Sequence, residues 1–466
     1  MSIVKKAHIG LVVLIVVVAG AAFYVLRGDK ADLSLEAVTG TDPQLAEPDP
    51  QMIPTVDVVS PVGWKDGEAP AAAKGLAVNR FATGLEHPRT MLALPNGDIL
   101  VTLTNAPSRV VAGGTLTNLV AGFLFRKAGA SVPSPNEIVL LASPSGMAWR
   151  DGKLYVADHD KVLEFPYELG SEALAGEPKK LMDLPPAGNH WMRNILLSED
   201  GKKLYVAVGS ASNIAEGGME AERGRAAIHE LDLGTGKSRI FGAGLRNPNG
   251  LDWNPWTGEL WVTVNERDML GSDLVPDYFT NVPVGVQYGW PWIYWKDVID
   301  ERVKAPMPQF LSDYARKPEF ALGPHVAALG LAFTSGGNRM GGAFGQGAFI
   351  ARHGSWNRKP LSGYDVVFVK FDNLGNPVGK PLPVLTGFLN TDGTTKGRPT
   401  WVAWDKTGAL LVSDDAGNTI WRVVAPGAKP GAAPQRLKSE TPEGLSRLKD
   451  LQLEQASEGI YQRESR

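Results

Sequence analysis

The sequence contains no cysteine among its 466 residues. This absence excludes disulfide bonds, cysteine-ligated zinc, iron–sulfur clusters, covalently attached c-type haem, a cysteine nucleophile and a cysteine-linked lipid anchor. The sequence also lacks an excess of either charge, since 47 Lys and Arg residues stand against 50 Asp and Glu residues. We therefore expect no nucleic-acid partner held by a general basic surface.

Glycine and proline are plentiful, at 53 and 34 residues. This content is typical of many short strands and turns rather than of long helices. With 43% hydrophobic and 21% charged residues, the composition is that of a folded globular protein. The length allows one large domain or two to three ordinary ones.

The N-terminal segment contains an uncharged apolar run over residues 9–26, preceded by Lys5 and Lys6. A helix of this length nearly crosses the hydrocarbon core of a bilayer, and the lysines favour a cytoplasmic N-terminus. We therefore predict that residues 1–27 form an uncleaved membrane anchor and that the body of the protein lies in a bacterial periplasm. The alternative is a signal peptide whose cleavage releases the protein into the periplasm, because small residues occupy positions 19–22.

Two further segments lack the periodicity of a folded core. Residues 28–75 contain several prolines and have no strong apolar period, which predicts an extended linker. Residues 426–466 form a polar C-terminal tail, to which we assign no function.

One pattern recurs six times in the body of the chain: an apolar strand, a turn that contains glycine, and a second apolar strand. Two clear copies are residues 147–156 and 402–412. The glycines of the six copies are Gly97, Gly152, Gly201, Gly258, Gly347 and Gly408. Glycine suits the positive φ of a tight hairpin. Short strands repeated at this spacing predict an all-β protein with a six-bladed β-propeller over residues 76–425, preceded by the transmembrane helix.

The fourth and fifth of these glycines are 89 residues apart, which is too long for one blade. We therefore predict an insertion at residues 267–325, a segment rich in Tyr, Trp and Pro. Long ordered loops on a rigid scaffold often carry function. An aromatic lid that only packs on the propeller is the alternative.

His190 lies in a loop dense in glycine and polar residues, just before the third repeat. A neutral imidazole is a good proton acceptor near pH 7. Asn189 and Arg193 could orient the ring and place a positive charge near an anion. The alternative is an isolated loop histidine on the surface.

Arg246, Arg358 and Arg398 lie in loops of successive repeats, so we expect them on the same rim of the propeller as His190. Arginine binds a carboxylate through two parallel hydrogen bonds. Three arginines and a histidine on one rim predict an anionic ligand at the propeller axis, such as a polycarboxylate. The alternative is that these arginines pair with acidic residues between blades.

Several stretches carry a resemblance to a known family. They are residues 188–194, 244–250, 265–268, 289–291, 353–358, 397–399 and 414–423. Together they show that residues 76–423 resemble the quinoprotein sugar dehydrogenases of the glucose/sorbosone dehydrogenase family, with most similarity to the sorbosone dehydrogenase branch.

The resemblance implies a six-bladed propeller that binds pyrroloquinoline quinone (PQQ), a tricarboxylate, on its axis. His190 matches the general base, which takes the proton of the anomeric hydroxyl while hydride passes to the quinone. Arg246 and Asn247 match the pair that lies against the quinone oxygens. Arg398 matches a ligand of a cofactor carboxylate, and Arg358 lies near the position of a basic cofactor contact.

The resemblance also implies a calcium ion that acts as a Lewis acid on a quinone carbonyl. Its protein ligands in the family are two successive backbone carbonyls, which fall at Asp268 and Met269 in this chain. The soluble glucose-oxidising branch has a Gly-Pro pair at this place, and it has an acidic residue where this chain has Asn189. The insertion at 267–325 would further reshape the sugar pocket.

These features predict a PQQ-dependent dehydrogenase of an aldose or of a sugar aldehyde such as sorbosone, held at the membrane by its N-terminal helix. Electrons would pass to a quinone or to a separate cytochrome, because the chain has no cysteine for a fused c-type haem. Two alternatives stay open. One is a calcium-dependent lactone hydrolase, which needs acidic and amide side chains around a metal on the axis. The other is a non-catalytic propeller that binds glycans or a protein through its aromatic rim.

Overall fold

Antiparallel sheets form nearly all of the regular structure in this computed structural model, which describes residues 28–51, 53–104, 141–186 and 188–437. The strands of these ranges are, in chain order, β1 (Ser60–Pro61), β2 (Ala71–Ala72), β3 (Ala77–Thr83), β4 (Pro88–Ala93), β5 (Ile99–Leu103), β6 (Met147–Arg150), β7 (Lys153–Ala157), β8 (Lys161–Pro166), β9 (Lys179–Asp183), β10 (Ile195–Leu197), β11 (Lys203–Val208), β12 (Ala227–Asp232), β13 (Ser238–Ala243), β14 (Asn247–Trp253), β15 (Leu260–Asn265), β16 (Pro276–Asn281), β17 (Val286–Gln287), β18 (Ile293–Tyr294), β19 (Val298–Ile299), β20 (Phe320–Pro324), β21 (Ala328–Phe333), β22 (Gly347–Arg352), β23 (Asp365–Phe371), β24 (Pro377–Thr386), β25 (Thr394–Thr395), β26 (Pro399–Trp404), β27 (Leu410–Asp414) and β28 (Thr419–Val424). The helical elements of the same ranges are α1 (Leu311–Tyr314) and a 3-10 turn (Gly342–Phe344).

Five of the sheets are propeller blades with four antiparallel strands each. Their strand orders are β6-β7-β8-β9, β10-β11-β12-β13, β14-β15-β16-β20, β21-β22-β23-β24 and β26-β27-β28-β3. The innermost strands β4, β6, β10, β14, β21 and β26 contact one another in sequence around a closed ring. The last blade joins the two ends of the propeller, because β3 pairs with β28.

The predicted number of six blades is corrected to five in the described residues. The first repeat forms only the two-stranded sheet β4–β5, and residues 105–140, which follow it, lie outside the described ranges. The described structure is therefore an all-β propeller of five blades, and β4–β5 occupies the remaining place in the ring. The repeat could not show this difference, because each hairpin copy marks the two inner strands of a blade and not its outer strands.

The repeated hairpins use glycine in two ways. Gly152 and Gly408 have φ of 77° and 84° at the turns of their hairpins, where a side chain would be strained. Gly347 instead begins β22, and a Cβ at this position would overlap the carbonyl group of Val369. The fifth copy of the repeat is therefore degenerate because its glycine serves a close strand contact rather than a turn.

Apolar side chains pack between neighbouring blades. Phe368, Val412 and Trp421 are buried together between the blade of β23 and the blade of β27 and β28. Similar clusters lie between other blades, as with Ile228 and Val262. This packing holds the blades in place, so the loops at their ends start from a rigid scaffold.

The predicted insertion at 267–325 contains two blade strands. β16 and β20 are the third and fourth strands of the blade that β14 begins, so the inserted segment is only 282–319. β16 escaped sequence reasoning because it starts at Pro276 and is buried along its whole length, without the alternation of a half-exposed strand. Within the insertion, β17 pairs in parallel with β13 of the preceding blade, and β18 pairs with β19.

Residues 28–75, predicted to be an extended linker, lie against the propeller. β1 pairs with β25, and β2 pairs with β24. Gly40 forms a bridge with Ala321, and Val38 and Thr55 are buried. The segment is therefore part of the propeller surface rather than a free tether.

Across the described ranges, no helix is long and apolar enough to cross a membrane. The predicted anchor at residues 1–27 lies outside those ranges, as do residues 438–466 of the predicted tail. The described part of the tail packs on the propeller, where the Leu437 N–H donates to the Trp256 carbonyl at 2.7 Å.

One rim of the propeller collects the polar loops. The antiparallel order places the start of each first strand and the end of each second strand at the same rim. His190, Arg246, His325 and Arg398 lie just before β10, β14, β21 and β26, so all four reach this rim close to the axis.

Candidate active site

His190 lies in the loop that leads into β10, and the residue is half-buried. Its Nδ1 is 2.9 Å from the carbonyl oxygen of Ser210 and 3.0 Å from the Ser210 hydroxyl oxygen. That hydroxyl donates its own hydrogen to the Ser212 carbonyl, 2.7 Å away, so both groups that face Nδ1 are acceptors. This pattern assigns the proton of the neutral ring to Nδ1 and its lone pair to Nε2.

The turn that carries Ser210 is fixed by the buried carboxylate of Glu222. This carboxylate accepts the Ala211 N–H at 2.7 Å, the Ser212 N–H at 3.1 Å and the Ser212 hydroxyl at 2.6 Å. Hydrogen bonds to an ionised carboxylate are among the stronger ones in proteins. Glu222 therefore positions the carbonyl that orients His190.

Arg193, one of the two neighbours expected to orient the His190 ring, acts elsewhere. Arg193 is buried, and its Nη1 donates to the backbone carbonyls of His190 and Met192 at 2.9 and 3.1 Å. Burial lowers the pKa of Arg193 to about 9. The backbone N–H of Asn189 donates to the Ala211 carbonyl at 2.8 Å. The expectation that Arg193 presents a charge to an anion is therefore corrected, since its guanidinium holds the loop backbone.

Arg246 immediately precedes β14 and is 4% exposed. Its Nε donates to the Asn213 carbonyl at 3.1 Å, and its Nη2 donates to Asn213 Oδ1 at 2.9 Å and to Asp268 Oδ2 at 3.0 Å. Its Nη1 donates to the carbonyls of Asn265 and Glu266. All five N–H groups of the guanidinium thus have protein acceptors. Arg246 supplies a fixed positive charge, and a ligand must displace one of these acceptors to take a hydrogen bond from it.

Asn247 and His190 meet at Gly209, directly after β11. A Cβ at Gly209 would lie 2.6 Å from the Cβ of His190 and would overlap Asn247 Oδ1, so only glycine leaves room for both side chains. Asn247 is held in turn by Asn265, whose Oδ1 accepts from Asn247 Nδ2 at 3.1 Å. The predicted base and the predicted quinone contact are therefore neighbours.

Asp268 joins Arg246 to His325, a histidine to which the sequence gave us no role. Nδ1 of His325 is 3.3 Å from Asp268 Oδ1, and its Nε2 faces the carbonyls of Gly271 and Leu274 at 3.1 and 3.0 Å. Burial alone would lower the pKa of His325, but the hydrogen bond and charge of Asp268 raise it. Burial alone would raise the pKa of Asp268, but Arg246 and His325 lower it. Both ring nitrogens of His325 therefore face acceptors, and Asp268 lies between the Arg246 guanidinium and the His325 imidazole.

The predicted calcium ligands, the backbone carbonyls of Asp268 and Met269, both accept hydrogen bonds from Arg302 of the insertion. Arg302 Nη1 is 3.0 Å from the first oxygen and 2.9 Å from the second. A calcium ion takes six to eight oxygen ligands at roughly 2.3–2.6 Å, and here it would meet a guanidinium cation at the same point. In this arrangement the carbonyl pair does not fit a calcium ion, and the proposed reaction includes no step at calcium.

A second charged group lies at the same rim around Asp415, directly after β27. His353 Nε2 is 2.9 Å from Asp415 Oδ2, and Nη1 of Arg89 donates to the same oxygen. His87 Nε2 lies 3.9 Å from this carboxylate. Burial and the nearby charge of Arg398 lower the pKa of His353 to about 3 in spite of Asp415. His353 is therefore neutral at physiological pH.

Arg398 completes this second group. Its Nε donates to the His353 carbonyl at 3.3 Å, and its guanidinium carbon lies 5.8 Å from the centre of the Tyr364 ring. In the described part of the chain, no acceptor bonds the terminal nitrogens of Arg398. With Arg89 and Arg398 positive, Asp415 negative and His353 neutral, the group around Asp415 has a net charge of one positive unit.

Arg358 does not share this arrangement. It is 2% exposed, its Nη2 lies 3.3 Å from Asp273 Oδ1, and its Nη1 donates to the Pro360 carbonyl at 2.6 Å. The alternative stated from the sequence, an arginine paired with an acid, describes Arg358 and, through its contact with Asp268, Arg246 as well. The structure thus brings together His190, Arg246, Asn247 and Asp268, places Arg398 in the second group, and engages Arg358 in a buried ion pair.

The aromatic side chains predicted in the insertion pack inward. Those exposed by 5% or less are Tyr278, Tyr288, Trp290, Tyr294 and Trp295. Trp290 Nε1 donates to the Asn213 carbonyl at 3.0 Å, so this ring supports the residue that holds Arg246. The segment is a packed wall of the site rather than an open aromatic surface.

Sequence reasoning missed the residues that hold the site together. His325 stands out in the sequence, since its loop is dense in glycine and polar residues like that of His190, but sequence reasoning assigned it no role. Glu222 and Asn213 lie between β11 and β12 with no motif to mark them. Arg302 could not have been found, because its contact with residues 34 positions earlier depends on how the insertion folds.

The comparisons with known proteins agree with this fold. The TrAA12-like family model matches residues 70–281 and 308–425. The iodide structure of the family AA12 enzyme of Trichoderma reesei has a TM-score of 0.61 and 21% identity, over 77% of this chain and 98% of that chain. The holo PQQ domain of pyranose dehydrogenase from Coprinopsis cinerea has a TM-score of 0.59 and 19% identity, over 79% of this chain and 100% of that chain. At these identities the likeness shows the fold alone.

A curated relative, the PQQ-dependent pyranose dehydrogenase of Coprinopsis cinerea, is 28% identical over 223 residues, which is 39% of this chain and 30% of that protein. The segments that the family model matches contain His190, Arg246 and Arg398, whereas the gap between them, 282–307, lies in the insertion. Because these segments cover well over half of its length, the chain belongs to the TrAA12-like family.

Proposed function

We propose that this chain is a PQQ-dependent sugar dehydrogenase that oxidises an aldose or a sugar aldehyde such as sorbosone. One observation carries the proposal: His190 holds its proton on Nδ1 against Ser210 and lies beside Asn247 and the Arg246 charge. A base, an amide and a fixed cation on the rim of a propeller suit the removal of a proton from a hydroxyl group and of a hydride from the carbon that bears it. The names of the relatives agree with this chemistry.

The charge of the rim fits an anionic cofactor such as the tricarboxylate PQQ. The group around Asp415 carries one net positive unit, and Asp268 is paired with Arg246 and His325. The terminal nitrogens of Arg398 are the donors that suit a carboxylate, since Arg246 has already committed its own. Bound PQQ would supply the acceptor for the hydride, which carries both electrons of the oxidation.

The proton is handled by His190. A hydroxyl on the anomeric carbon of an aldose, or on the hydrated carbon of a sugar aldehyde, transfers its proton to Nε2 as hydride leaves that carbon, so a carbonyl product forms. The ring becomes an imidazolium whose Nδ1–H stays on the Ser210 carbonyl, which stabilises the new charge. The fixed guanidinium of Arg246 stabilises negative charge that develops nearby, and it needs no reorganisation to do so.

We also propose the surroundings of this reaction. The electrons leave for a quinone or a separate cytochrome, because the chain has no cysteine to bind a fused c-type haem. The apolar run at residues 9–26 supports a periplasmic protein anchored at the inner membrane, or one released after cleavage of this segment.

The two alternatives receive less support from the geometry. A glycan- or protein-binding propeller would use the aromatic rim, but most of those rings are buried. A lactone hydrolase needs acids around a metal on the axis, whereas Asp268 and Asp415 are each paired with cationic side chains.

The test starts from the full chain produced without PQQ. Quenching of tryptophan fluorescence measures PQQ binding, and an artificial electron-acceptor dye then reports oxidation across a panel of aldoses and sugar aldehydes. The same assays are run on His190→Ala and on the control His159→Gln, a ring on a different blade that contacts Asp158 and Asp160. We expect PQQ-dependent dye reduction that is lost in His190→Ala with PQQ binding retained, and that persists in His159→Gln.

Two results would count against the proposal. Absence of PQQ binding in the parent protein would remove the cofactor and favour the binding propeller. Equal dye reduction by His190→Ala would remove the assigned base.

A further inference from the structure

Arg302 of the insertion contacts the backbone of the candidate site through one nitrogen atom. A single nitrogen, Nη1, donates to the carbonyl oxygens of Asp268 and Met269 at 3.0 and 2.9 Å. These two successive carbonyls are the pair that the family resemblance assigns to calcium. A side-chain cation therefore stands where the resemblance places a metal cation.

The Arg302 guanidinium is held in this position by Asp300. Arg302 Nε donates to Asp300 Oδ1 at 2.8 Å, and Nη2 donates to Asp300 Oδ2 at 2.7 Å, which is a two-pronged ion pair. Asp300 is 4% exposed, and its backbone N–H donates to the Trp292 carbonyl at 2.8 Å. The Arg302 side chain is only 18% exposed. Few alternative positions are open to a side chain fixed in this way.

Each carbonyl of the pair has a second donor besides Arg302, since Asn213 Nδ2 donates to the Asp268 oxygen and the Gln51 N–H donates to the Met269 oxygen, both at 3.1 Å. Met269 has φ of 68°, a conformation that is uncommon for residues other than glycine. Asn213 Oδ1 accepts the Asp268 N–H at 2.9 Å, and Asn357 Oδ1 accepts the Met269 N–H at 3.0 Å. Asn357 thus fixes the peptide group that carries the Asp268 carbonyl, and Asn213 fixes the peptide group before it.

Asp300 and Arg302 belong to this chain rather than to the shared pattern of the family. They lie in the gap at 282–307 between the two segments that the family model matches, while Asp268 and Met269 lie inside the first segment. The carbonyls thus come from the common propeller, and the cation comes from the insertion.

We propose that Arg302 replaces the calcium ion at the Asp268–Met269 carbonyl pair, so that the site binds its anionic cofactor without a divalent cation there. The proposal deepens the proposed function and rests on it for the identity of the cofactor. The guanidinium contributes one positive unit and hydrogen-bond donors, but it is not a Lewis acid. A calcium ion at the same point would lose two oxygen ligands to Arg302 and be repelled by its charge.

The first test measures PQQ binding to the full chain with and without calcium. Wild type, Arg302→Ala and the control Arg316→Ala are titrated with PQQ in excess EGTA and in excess calcium. Arg316 is a matched control because it lies in the same insertion and pairs with Glu319 at 2.8 Å, away from the carbonyl pair. We expect wild type and Arg316→Ala to bind PQQ equally well in both conditions.

Arg302→Ala should behave differently. In EGTA its Kd for PQQ should rise about tenfold, the effect of losing one charge-assisted contact, and calcium should restore most of the loss by binding the vacated carbonyls. Wild-type PQQ binding that requires one calcium ion per chain would overturn the proposal. An Arg302→Ala variant that binds PQQ like wild type in EGTA would also overturn it.

A second test needs no PQQ and so separates this proposal from the proposed function. Terbium replaces calcium at oxygen sites, and its luminescence is excited through nearby tryptophan and tyrosine rings such as Trp290. Because Asp158, His159 and Asp160 could also hold a metal ion, all proteins in this test carry Asp160→Asn. We expect Arg302→Ala to gain a saturable terbium site that the protein with Arg302 lacks.

Equal terbium luminescence with and without Arg302 would overturn the proposal whether or not PQQ binds. If PQQ binds to neither protein while the terbium site still appears only in Arg302→Ala, the proposed function fails and the blocking of the carbonyl pair by Arg302 stands.

Discussion

His353 donates from Nε2 to Asp415, with 2.9 Å between Nε2 and Oδ2, yet its ring is neutral. Burial and the positive charges of Arg398 and Arg89 outweigh the carboxylate and lower the pKa of His353 to about 3. The Asp415 carboxylate is therefore neutralised by Arg89, and Arg398 keeps its charge for a ligand. For this reason the group around Asp415 has a net positive charge.

The neutral state of His353 predicts a specific pH dependence of stability. Unfolded His353 binds a proton below its ordinary pKa of 6.5, whereas the folded protein takes up that proton only near pH 3. The unfolded state therefore binds more protons in this window, and the free energy of unfolding falls as the pH drops from 6.5 towards 4. The contribution of one group is at most about 1.4 kcal/mol per pH unit.

Replacing His353 tests this dependence. His353→Gln keeps an amide donor for Asp415 but cannot take up the proton. Urea unfolding between pH 7 and pH 4.5 should show a shallower loss of stability than in wild type. Some slope should remain, because burial also lowers the pKa of His87 and His229. Parallel curves for the two proteins would contradict the assignment of a neutral His353.

Glu222 is expected to be a positioning residue for His190. Glu222→Gln removes the charge from an acceptor of three hydrogen bonds, which loosens the turn that presents the Ser210 carbonyl. We expect kcat to fall about tenfold with little change in KM, because the base loses alignment while the sugar still binds. The pH profile of kcat/KM should also shift, since Ser210 stabilises the protonated ring.

A control for this variant lies a few residues away. Glu220→Gln changes an exposed carboxylate that pairs with Arg223 on the surface. It should leave kcat and its pH profile unchanged. If both variants lose kcat alike, the segment between β11 and β12 is sensitive to any change, and the specific role of Glu222 is refuted.

We expect different effects from the replacement of Arg398 and of Arg358, two of the arginines predicted to contact the cofactor. Arg398→Gln removes the terminal donors that suit a carboxylate, so the Kd for PQQ should rise roughly 10- to 100-fold while the fold is retained. Arg358→Gln breaks a buried ion pair with Asp273 and should lower the free energy of unfolding by roughly 1–3 kcal/mol. The folded fraction of Arg358→Gln should bind PQQ as wild type does. Fluorescence titration and urea unfolding of both variants check these outcomes, and a reversed pattern would contradict the placement of the two side chains.

The sequence predicted the features that depend on a few neighbouring residues. Hairpins such as that at Gly152 were predicted because glycine at a turn and flanking apolar alternation are both properties of a few neighbouring residues. The placement of His190 and Arg246 on one rim followed from the repeat, since equivalent loops of successive blades reach the same end of the propeller.

The sequence was less informative where the structure depends on distant contacts. The buried strand β16 has no alternation to mark it, and the linker at 28–75 gains its place through distant contacts such as its pairing with β24 and β25. The partners of the site are also nonlocal. Arg302 reaches the carbonyl of Asp268 only because the insertion folds back over the rim. No spacing within the chain could have predicted that contact.

The oxidation of a sugar by the PQQ-loaded protein in a single turnover tests the proposed function most directly. The full chain is loaded with PQQ, mixed with an aldose without oxygen or dye, and followed by the absorbance of the bound quinone. We expect rapid reduction that slows with sugar deuterated at C1, because the hydride leaves that carbon, and slows about 10²- to 10⁴-fold in His190→Ala. Reduction that is unaffected by deuterium and proceeds equally in His190→Ala would contradict both the reaction and the base assigned to it.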